Sequence, residues 1–189
     1  MIGSEIVEES VRRDLVLESL ASGFPAIPEA GGLNLAQAGA VCLDQHGHPK
    51  GVEMKVSGDF SETFNLYWPD VTDQMRRFWN DSQEATEYGA YGIACLLIRR
   101  LTSFTVIERS RKGTGFDYWL GDEGDFLFQQ KARLEVSGIG KGNSQDVTQR
   151  VNIKLKQTAR SDGTLPAYVI VVEFSAPTSQ VVKKALERQ

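Results

Sequence analysis

The chain has 189 residues with 2 cysteines, 41% hydrophobic and 24% charged residues, and a net charge of −4, which is ordinary for one globular domain. Two cysteines give no disulfide framework and no zinc-ligand spacing. The longest apolar run, residues 93–98, is far too short for a bilayer core of about 30 Å, and no secretory signal is visible. We therefore expect a cytoplasmic protein without membrane contact.

The charge is distributed unevenly along the chain. Residues 1–98 carry 6 Lys and Arg against 15 Asp and Glu, whereas residues 99–160 carry 12 against 7. A basic segment favours a polyanionic substrate, because Lys and Arg contacts to phosphate supply much of the affinity for nucleic acid. Chance clustering of charge is the alternative. The acidic first half would suit an interface with a protein partner.

Residues 1–81 are predicted to form an extension packed on a separate core. Its elements are a helix over residues 4–20, a Gly- and Pro-rich break at 23–32, a helix over 33–43, strands at 52–56 and 64–68, and a helical stretch after Pro69.

Residues 82–189 alternate helices with buried strands. In chain order they predict a helix over 83–101 capped by Asp81 or Ser82, strands at 104–107, 116–120 and 132–136, a helix capped by Ser144, a buried strand at 168–174 and a closing helix over 178–189. This order predicts an α/β fold with a mixed sheet flanked by helices.

Two of the predicted strands each carry one carboxylate, Asp117 and Glu135. Because strand side chains alternate between faces, Glu135 shares its face with Arg133 and Ser137. If the two strands are neighbours, Asp117 and Glu135 converge on one point and can hold a hard divalent cation. A salt bridge for Glu135, and a turn or strand-edge position for Asp117, are the alternatives.

The helix-strand-strand-strand-helix-strand order, with Asp on the second strand and Glu on the third, resembles the PD-(D/E)xK nuclease superfamily, which has the restriction-endonuclease-like fold. The family motif is Asp, a spacer and Glu-x-Lys, often with a glutamate on the preceding helix. Asp117 and Glu135 match the motif, and Glu87 or Glu84 matches the helical glutamate. The resemblance covers residues 82–175.

The resemblance implies a metal-dependent nuclease that hydrolyses nucleic-acid phosphodiesters, as in bacterial defence or DNA-processing systems. It implies Mg²⁺ or Mn²⁺ as the cofactor, with Asp117, Glu135 and Glu87 as ligands. The fold it implies is an αβββαβ core with an N-terminal helix and β-hairpin extension.

One departure from the family motif concerns the lysine, whose place is taken by Ser137. A hydroxyl cannot supply the positive charge that the motif lysine provides. Some members of the superfamily carry this lysine elsewhere, and the candidates here are Lys131, Arg133 and Lys154. Lys154 and Lys131 are the two that we assign to catalysis, and Gln157 follows Lys154 on the same polar side of its helix.

Further basic residues are candidates for phosphate contacts. They are Arg111, Lys112, Arg133, Lys141 and Arg150. The glycine-rich loop at 137–144, between a strand and a helix, could also present backbone N–H groups to an anion. It does not match the Walker pattern, because Gly142 rather than Ser or Thr follows Lys141.

A catalytically degenerate module is the competing interpretation of the missing lysine. Such a module would use the same fold to bind nucleic acid or a protein partner within a larger assembly. The sequence leaves a homodimer open. Divalent-metal binding that depends on Asp117 and Glu135 separates the two interpretations, since fold alone does not dictate function.

Overall fold

The structure, a computed structural model, describes residues 13–161, 163 and 165–186. Its strands are β1 (Asp14–Val16), β2 (Val52–Gly58), β3 (Glu62–Tyr67), β4 (Phe104–Arg109), β5 (Tyr118–Asp122), β6 (Ala132–Ile139), β7 (Ala167–Glu173) and β8 (Thr178–Lys184). Its α-helices are α1 (Glu29–Gln45), α2 (Asp73–Phe78), α3 (Ser82–Leu101) and α4 (Ser144–Thr158). The predicted α/β class is confirmed.

All eight described strands belong to one mixed sheet, in the order β1-β3-β2-β8-β7-β6-β5-β4. Strands β4, β5 and β6 form an antiparallel meander, and α4 then crosses over to β7, which runs parallel to β6. Strand β8 pairs antiparallel with β7 and parallel with β2. The sheet therefore continues across the predicted boundary between residues 81 and 82.

Helices cover both faces of the central strands. On β7, Tyr168, Ile170 and Val172 belong to the large apolar cluster that includes α1 and α3, whereas Val169 and Val171 pack with α4. All residues of β7 are buried, as predicted for this strand. No helix among the described residues is both long and apolar enough to cross a membrane.

Helix α3, which carries part of the site, is fixed at its start and along its length. Asp81 is its N-cap and accepts hydrogen bonds from the Gln83 and Glu84 amides at 2.9 and 3.0 Å. A Cβ atom added at Gly89 would lie 2.9 Å from Cα of Gly39 in α1. The glycine is therefore explained by the close packing of α3 against α1.

The predicted closing helix over residues 178–189 is wrong for its described part. Residues 178–184 form β8, with buried Ser179 and Val181 alternating with less buried neighbours. Strand β7 is buried on both faces and needs a hydrogen-bonding neighbour on each edge, so tertiary pairing outweighs the local preference for helix.

The predicted N-terminal helix over residues 4–20 also differs where it can be compared. Residues 1–12 lie outside the described residues. Asp14–Val16 is a strand that pairs parallel with β3, and Leu17–Ser22 is a 3₁₀ helix with Leu17 and Leu20 buried. The apolar residues of this segment therefore enter the core from short elements.

Candidate active site

The two predicted carboxylates meet at β6. Asp117 lies one residue before β5, so the strand begins two residues later than the predicted 116–120. Its backbone N–H donates to the Leu134 carbonyl at 2.8 Å, and its Oδ2 accepts from the Val136 amide at 2.8 Å. These two bonds hold Asp117 against the residues on either side of Glu135.

Glu135 lies on the face of β6 that α4 covers, and its side chain is 1% exposed. Its Oε1 accepts hydrogen bonds from Lys154 Nζ at 2.6 Å and from Gln157 Nε2 at 3.0 Å. Its Oε2 is buried and accepts no hydrogen bond from a donor among the described residues. The Asp117 and Glu135 carboxyl groups are close enough to share a proton, which would satisfy this oxygen in the absence of a cation. A buried carboxylate oxygen without a donor is costly, so it marks a place where a cation or a proton would be stabilising.

The electrostatics of the pair follow from this burial. Burial first, and the Asp117 charge second, raise the pKa of Glu135 to about 7, while the bond and charge of Lys154 oppose the change. Burial also raises the pKa of Asp117, against the opposing hydrogen bonds from the Val136 amide and Tyr91. Two carboxylates in one low-dielectric site disfavour being ionised together.

Tyr91 on α3 links the pair to a third carboxylate. Its hydroxyl lies 3.0 Å from Asp117 Oδ1 and 3.2 Å from Glu87 Oε1. Burial and the two carboxylates raise the pKa of Tyr91, which keeps it protonated. A phenol has one proton to donate, so it satisfies one carboxylate at a time.

Glu87, the predicted third ligand, is connected to the pair indirectly. Its side chain is exposed and reaches Asp117 through Tyr91. Glu84, the other candidate, is exposed in the first turn of α3. Of the two, Glu87 is therefore the one connected to the site.

The structure separates the three candidates for the missing lysine. Lys154 reaches Glu135 from α4, as described above. Lys131 is paired with Asp122 near the far end of the β5–β6 hairpin. Arg133 is 1% exposed, and its guanidinium donates to the Leu165 and Thr158 carbonyls. Lys154 alone places its charge at the carboxylate pair.

Ser137, at the position of the motif lysine, has a partner of its own. Its Oγ accepts a hydrogen bond from the Arg150 guanidinium at 3.0 Å. Arg150 and Lys154 are four residues apart on α4 and therefore lie on the same side of the helix. Two cations from α4 thus cover the face of β6 where the motif has one lysine on the strand.

A cleft of about 800 Å³ opens beside the pair. Its walls come from the end of α1, the start of α3, the end of β6 and α4, and they include Glu87, Tyr91, Lys141, Arg150 and Lys154. Asp117 and Glu135 do not line this cleft. They lie behind Tyr91 and Lys154, which do.

The predicted phosphate-contacting residues fall into three groups. Lys141 and Arg150 line the cleft. Arg111 and Lys112 are exposed in the turn between β4 and β5. The prediction that Arg133 contacts nucleic acid does not agree with its position. Arg133 is buried, and its guanidinium donates hydrogen bonds to backbone carbonyls inside the protein.

The glycine-rich loop is held by the protein's own carboxylates. The Gly142 amide donates to Glu173 Oε1 at 3.1 Å, and the Asn143 amide donates to Asp146 Oδ2 at 2.9 Å. Asn143, rather than the predicted Ser144, is the N-cap of α4. The amides at these two positions are therefore not directed at an external anion.

Tyr91 is a site residue that the sequence did not identify. The available signal was its spacing of four residues from Glu87, which places both on one side of α3. An aromatic residue at such spacing is far more often part of a core, and its contact with Asp117 depends on how α3 packs over the sheet.

The donor set fits a divalent cation of the hard, oxygen-preferring kind. Glu135 Oε2 is the one carboxylate oxygen among the buried polar atoms without a partner in the described part of the chain. The described residues contain no cluster of three or more His, Cys, Asp or Glu arranged to hold a metal ion. Mg²⁺ keeps several waters and needs one or two carboxylates, so the pair is sufficient.

No protein-family model, no curated protein and no solved structure matches the chain.

Proposed function

We propose that this protein is a metal-dependent nuclease with a restriction-endonuclease-like core. The order α3-β4-β5-β6-α4-β7 is the αβββαβ order of that core, and the antiparallel meander followed by a parallel crossover supports the finer fold. The fold alone does not carry the activity.

The observation that carries the proposal is the environment of Glu135. A glutamate on the third strand of the core lies beside Asp117, pairs through one oxygen with Lys154 at 2.6 Å and keeps its other oxygen buried without a donor. A purely structural ion pair would gain from filling both oxygens. An oxygen left open beside a second carboxylate is what a metal ligand requires.

Asp117 and Glu135 would hold Mg²⁺ or Mn²⁺, with Glu87 near enough to contribute through Tyr91 or an intervening water. The metal, when bound, lowers the pKa of a coordinated water and stabilises charge on a phosphoryl oxygen. Tyr91 and the Val136 amide orient Asp117, and Gln157 orients Glu135.

Lys154 takes the place of the motif lysine. Its side chain is 20% exposed and lines the cleft, so its ammonium group faces both Glu135 and a substrate there. It holds the Glu135 carboxylate in place and offsets negative charge at a bound phosphate. Arg150 supplies a second cation on the same wall, and its position is fixed by Ser137.

Cleavage of a mixed panel of substrates tests the proposal. The panel contains supercoiled plasmid, linear duplex, single-stranded DNA and RNA, each with Mg²⁺, Mn²⁺ or EDTA. We expect metal-dependent cleavage that Glu135→Ala abolishes and that Glu53→Ala, a change at an exposed glutamate on β2, retains. Cleavage by Glu135→Ala at the wild-type rate would contradict the assignment.

A binding module on the same fold is the second candidate, and the burial of Glu135 favours it. Its side chain is 1% exposed and already paired with Lys154, which a site without metal would also show. Such a module would use the cations of the cleft to hold nucleic acid without cutting it. Binding of the panel without cleavage, in the presence of either metal, would support this candidate.

A further inference from the structure

A second, smaller cavity lies next to the candidate active site. It has a volume of about 150 Å³, and Tyr91 lines it as well as the large cleft. Its other walls include Tyr88, Tyr118, Asn34 and Arg109. Because the Tyr91 hydroxyl contacts Asp117, a group bound in this cavity would be one side chain away from the carboxylate pair.

The three tyrosines form an aromatic wall. The Tyr91 ring meets Tyr88 at 6.3 Å and 82°, and it meets Tyr118 at 5.9 Å and 83°. Both contacts are edge to face. Tyr91 and Tyr118 are buried, so the partly exposed Tyr88 offers most of the aromatic surface against which a planar ring entering the cavity can pack.

The polar side chains around this wall have donors and acceptors that could bind a ligand. The side chains of Asn34, Arg109, Tyr88 and Tyr118 make no hydrogen bond to another residue in the described ranges. The Arg109 guanidinium lies 6.0 Å from the centre of the Tyr118 ring. An amide and a guanidinium can together read the donors and acceptors on the edge of a nucleobase.

The size of the cavity limits the ring that it can take. A protein cavity of about 150 Å³ holds a benzene molecule. A single six-membered ring therefore fits the volume of this cavity, whereas part of a purine would remain in its open mouth. Among nucleobases, this favours the pyrimidines.

We propose that this cavity, which we call the tyrosine pocket (Asn34, Tyr88, Tyr91, Arg109 and Tyr118), binds a pyrimidine base of the substrate. The inference rests on the proposed function, because the base would belong to the strand whose phosphate occupies the site. A base enters such a pocket only when it is unpaired and unstacked. The preferred substrate is therefore single-stranded and pyrimidine-rich.

Binding of three short strands tests the pocket separately from catalysis. The strands are an oligothymidylate, an oligodeoxyadenylate and an abasic deoxyribose-phosphate strand of equal length, measured by fluorescence anisotropy with Ca²⁺ in place of Mg²⁺. Stacking on aromatic side chains is strong enough to predict that wild type binds thymidylate about 10- to 100-fold more tightly than the abasic strand. Deoxyadenylate should bind more weakly than thymidylate, because part of a purine would stay outside the cavity.

Three variants locate the effect. Tyr88→Ala should bring thymidylate binding to the abasic value, and Tyr88→Phe should keep most of the preference because the ring remains. Arg109 is exposed, so Arg109→Ala lowers the preference for thymidylate without disturbing the core. Phe126→Ala, which removes a 90% exposed aromatic ring on the β5–β6 loop, is the matched control and should keep the wild-type ratio.

The outcomes separate the pocket from the nuclease. Equal binding of thymidylate and the abasic strand, by a protein that cuts the substrate panel, would overturn the pocket and leave the nuclease standing. Equal binding of thymidylate and deoxyadenylate, both above the abasic strand, would overturn the size argument. Failure to bind any strand and to cut the panel would overturn both proposals.

Discussion

Two buried glutamates, Glu135 on β6 and Glu173 at the end of β7, are each 1% exposed but differ in their partners. Glu173 Oε1 accepts from the Gly142 and Ser175 amides at 3.1 and 2.8 Å, and its Oε2 accepts from the Ala176 amide at 2.7 Å. Glu135 fills one oxygen and leaves the other without a donor.

The difference distinguishes two uses of a buried carboxylate. Glu173 fastens the glycine-rich loop to the turn after β7, and both of its oxygens are satisfied. Glu135 keeps one oxygen without a donor, at a cost to the fold. Burial by itself therefore does not distinguish the two glutamates, and the proposed metal site rests on this unfilled oxygen beside a second carboxylate.

Among the cations near Glu135, Lys154 should have the largest effect on activity. Lys154→Met should lower the rate of metal-dependent cleavage about 10²- to 10³-fold, the usual cost of losing one preorganised group that stabilises developing charge. Single-turnover cleavage assays measure this change in rate.

A lysine at the motif position tests whether Lys154 replaces that residue. Ser137 and Glu135 share a face of β6, so Ser137→Lys in the Lys154→Met background should recover about tenfold or more of the lost rate. Lys156→Met, the matched control at an exposed lysine of the same helix, should cleave at the wild-type rate. A Lys154→Met enzyme with wild-type activity would refute the role.

Substitution of Glu173 should lower the stability of the fold. Glu173→Ala leaves several loop and turn amides without an acceptor and should lower the free energy of unfolding by about 3 kcal/mol. Urea denaturation measures it, with Glu53→Ala expected within about 0.5 kcal/mol of wild type as a surface control. An unchanged unfolding midpoint in Glu173→Ala would mean that Glu173 does not stabilise the fold and does not differ from Glu135 in this way.

Removing the charge of Glu135 should instead raise the free energy of unfolding in the absence of metal. Its pKa in the folded protein is about 7, above the ordinary 4.5, so folding disfavours the charged form. Its stabilising contribution is complete below the ordinary pKa and is lost as the pH rises through about 7. Glu135→Gln cannot ionise and avoids this loss.

We therefore expect Glu135→Gln to be more stable than wild type in EDTA at about pH 8, by up to about 3 kcal/mol. The difference should disappear below the ordinary pKa of a glutamate. Urea denaturation over this pH range measures both. Lower stability of Glu135→Gln than wild type at high pH would mean that Glu135 is a structural carboxylate like Glu173.

The smallest effect should come from Ser137. Ser137→Ala removes one hydrogen bond to Arg150 and should raise KM about fivefold with little change in kcat. Arg150→Ala should raise KM further, because the cation itself is lost. If Ser137→Ala lowers kcat and leaves KM unchanged, Ser137 acts on the reacting groups and not through Arg150.

Strand periodicity predicted the face on which Glu135 lies, whereas its meeting with Asp117 also required β5 and β6 to be neighbours. Alternation placed Glu135 and Ser137 on one face of β6, and both now contact α4 from that face. Lys154 was one of three candidates, and the choice among them depended on which helix covers β6. That is a tertiary property, so sequence spacing alone could not decide it.

Other features depend on contacts distant in sequence. Glu87 is exposed and meets Asp117 only through Tyr91, whose hydroxyl position is set by the packing of α3. Residues 178–184 became β8 because β7 and β2 both needed a neighbour. Local propensity is a weak guide where a buried strand requires a partner.

The metal site at Asp117 and Glu135 is tested most directly by calorimetric titration of Mn²⁺ into wild type, Asp117→Asn and Glu135→Gln at about pH 8, where Glu135 is mostly ionised. We expect saturable binding to wild type that each substitution abolishes, in proteins that remain folded. Equal binding by all three, or no binding by wild type, would contradict a metal site at Asp117 and Glu135.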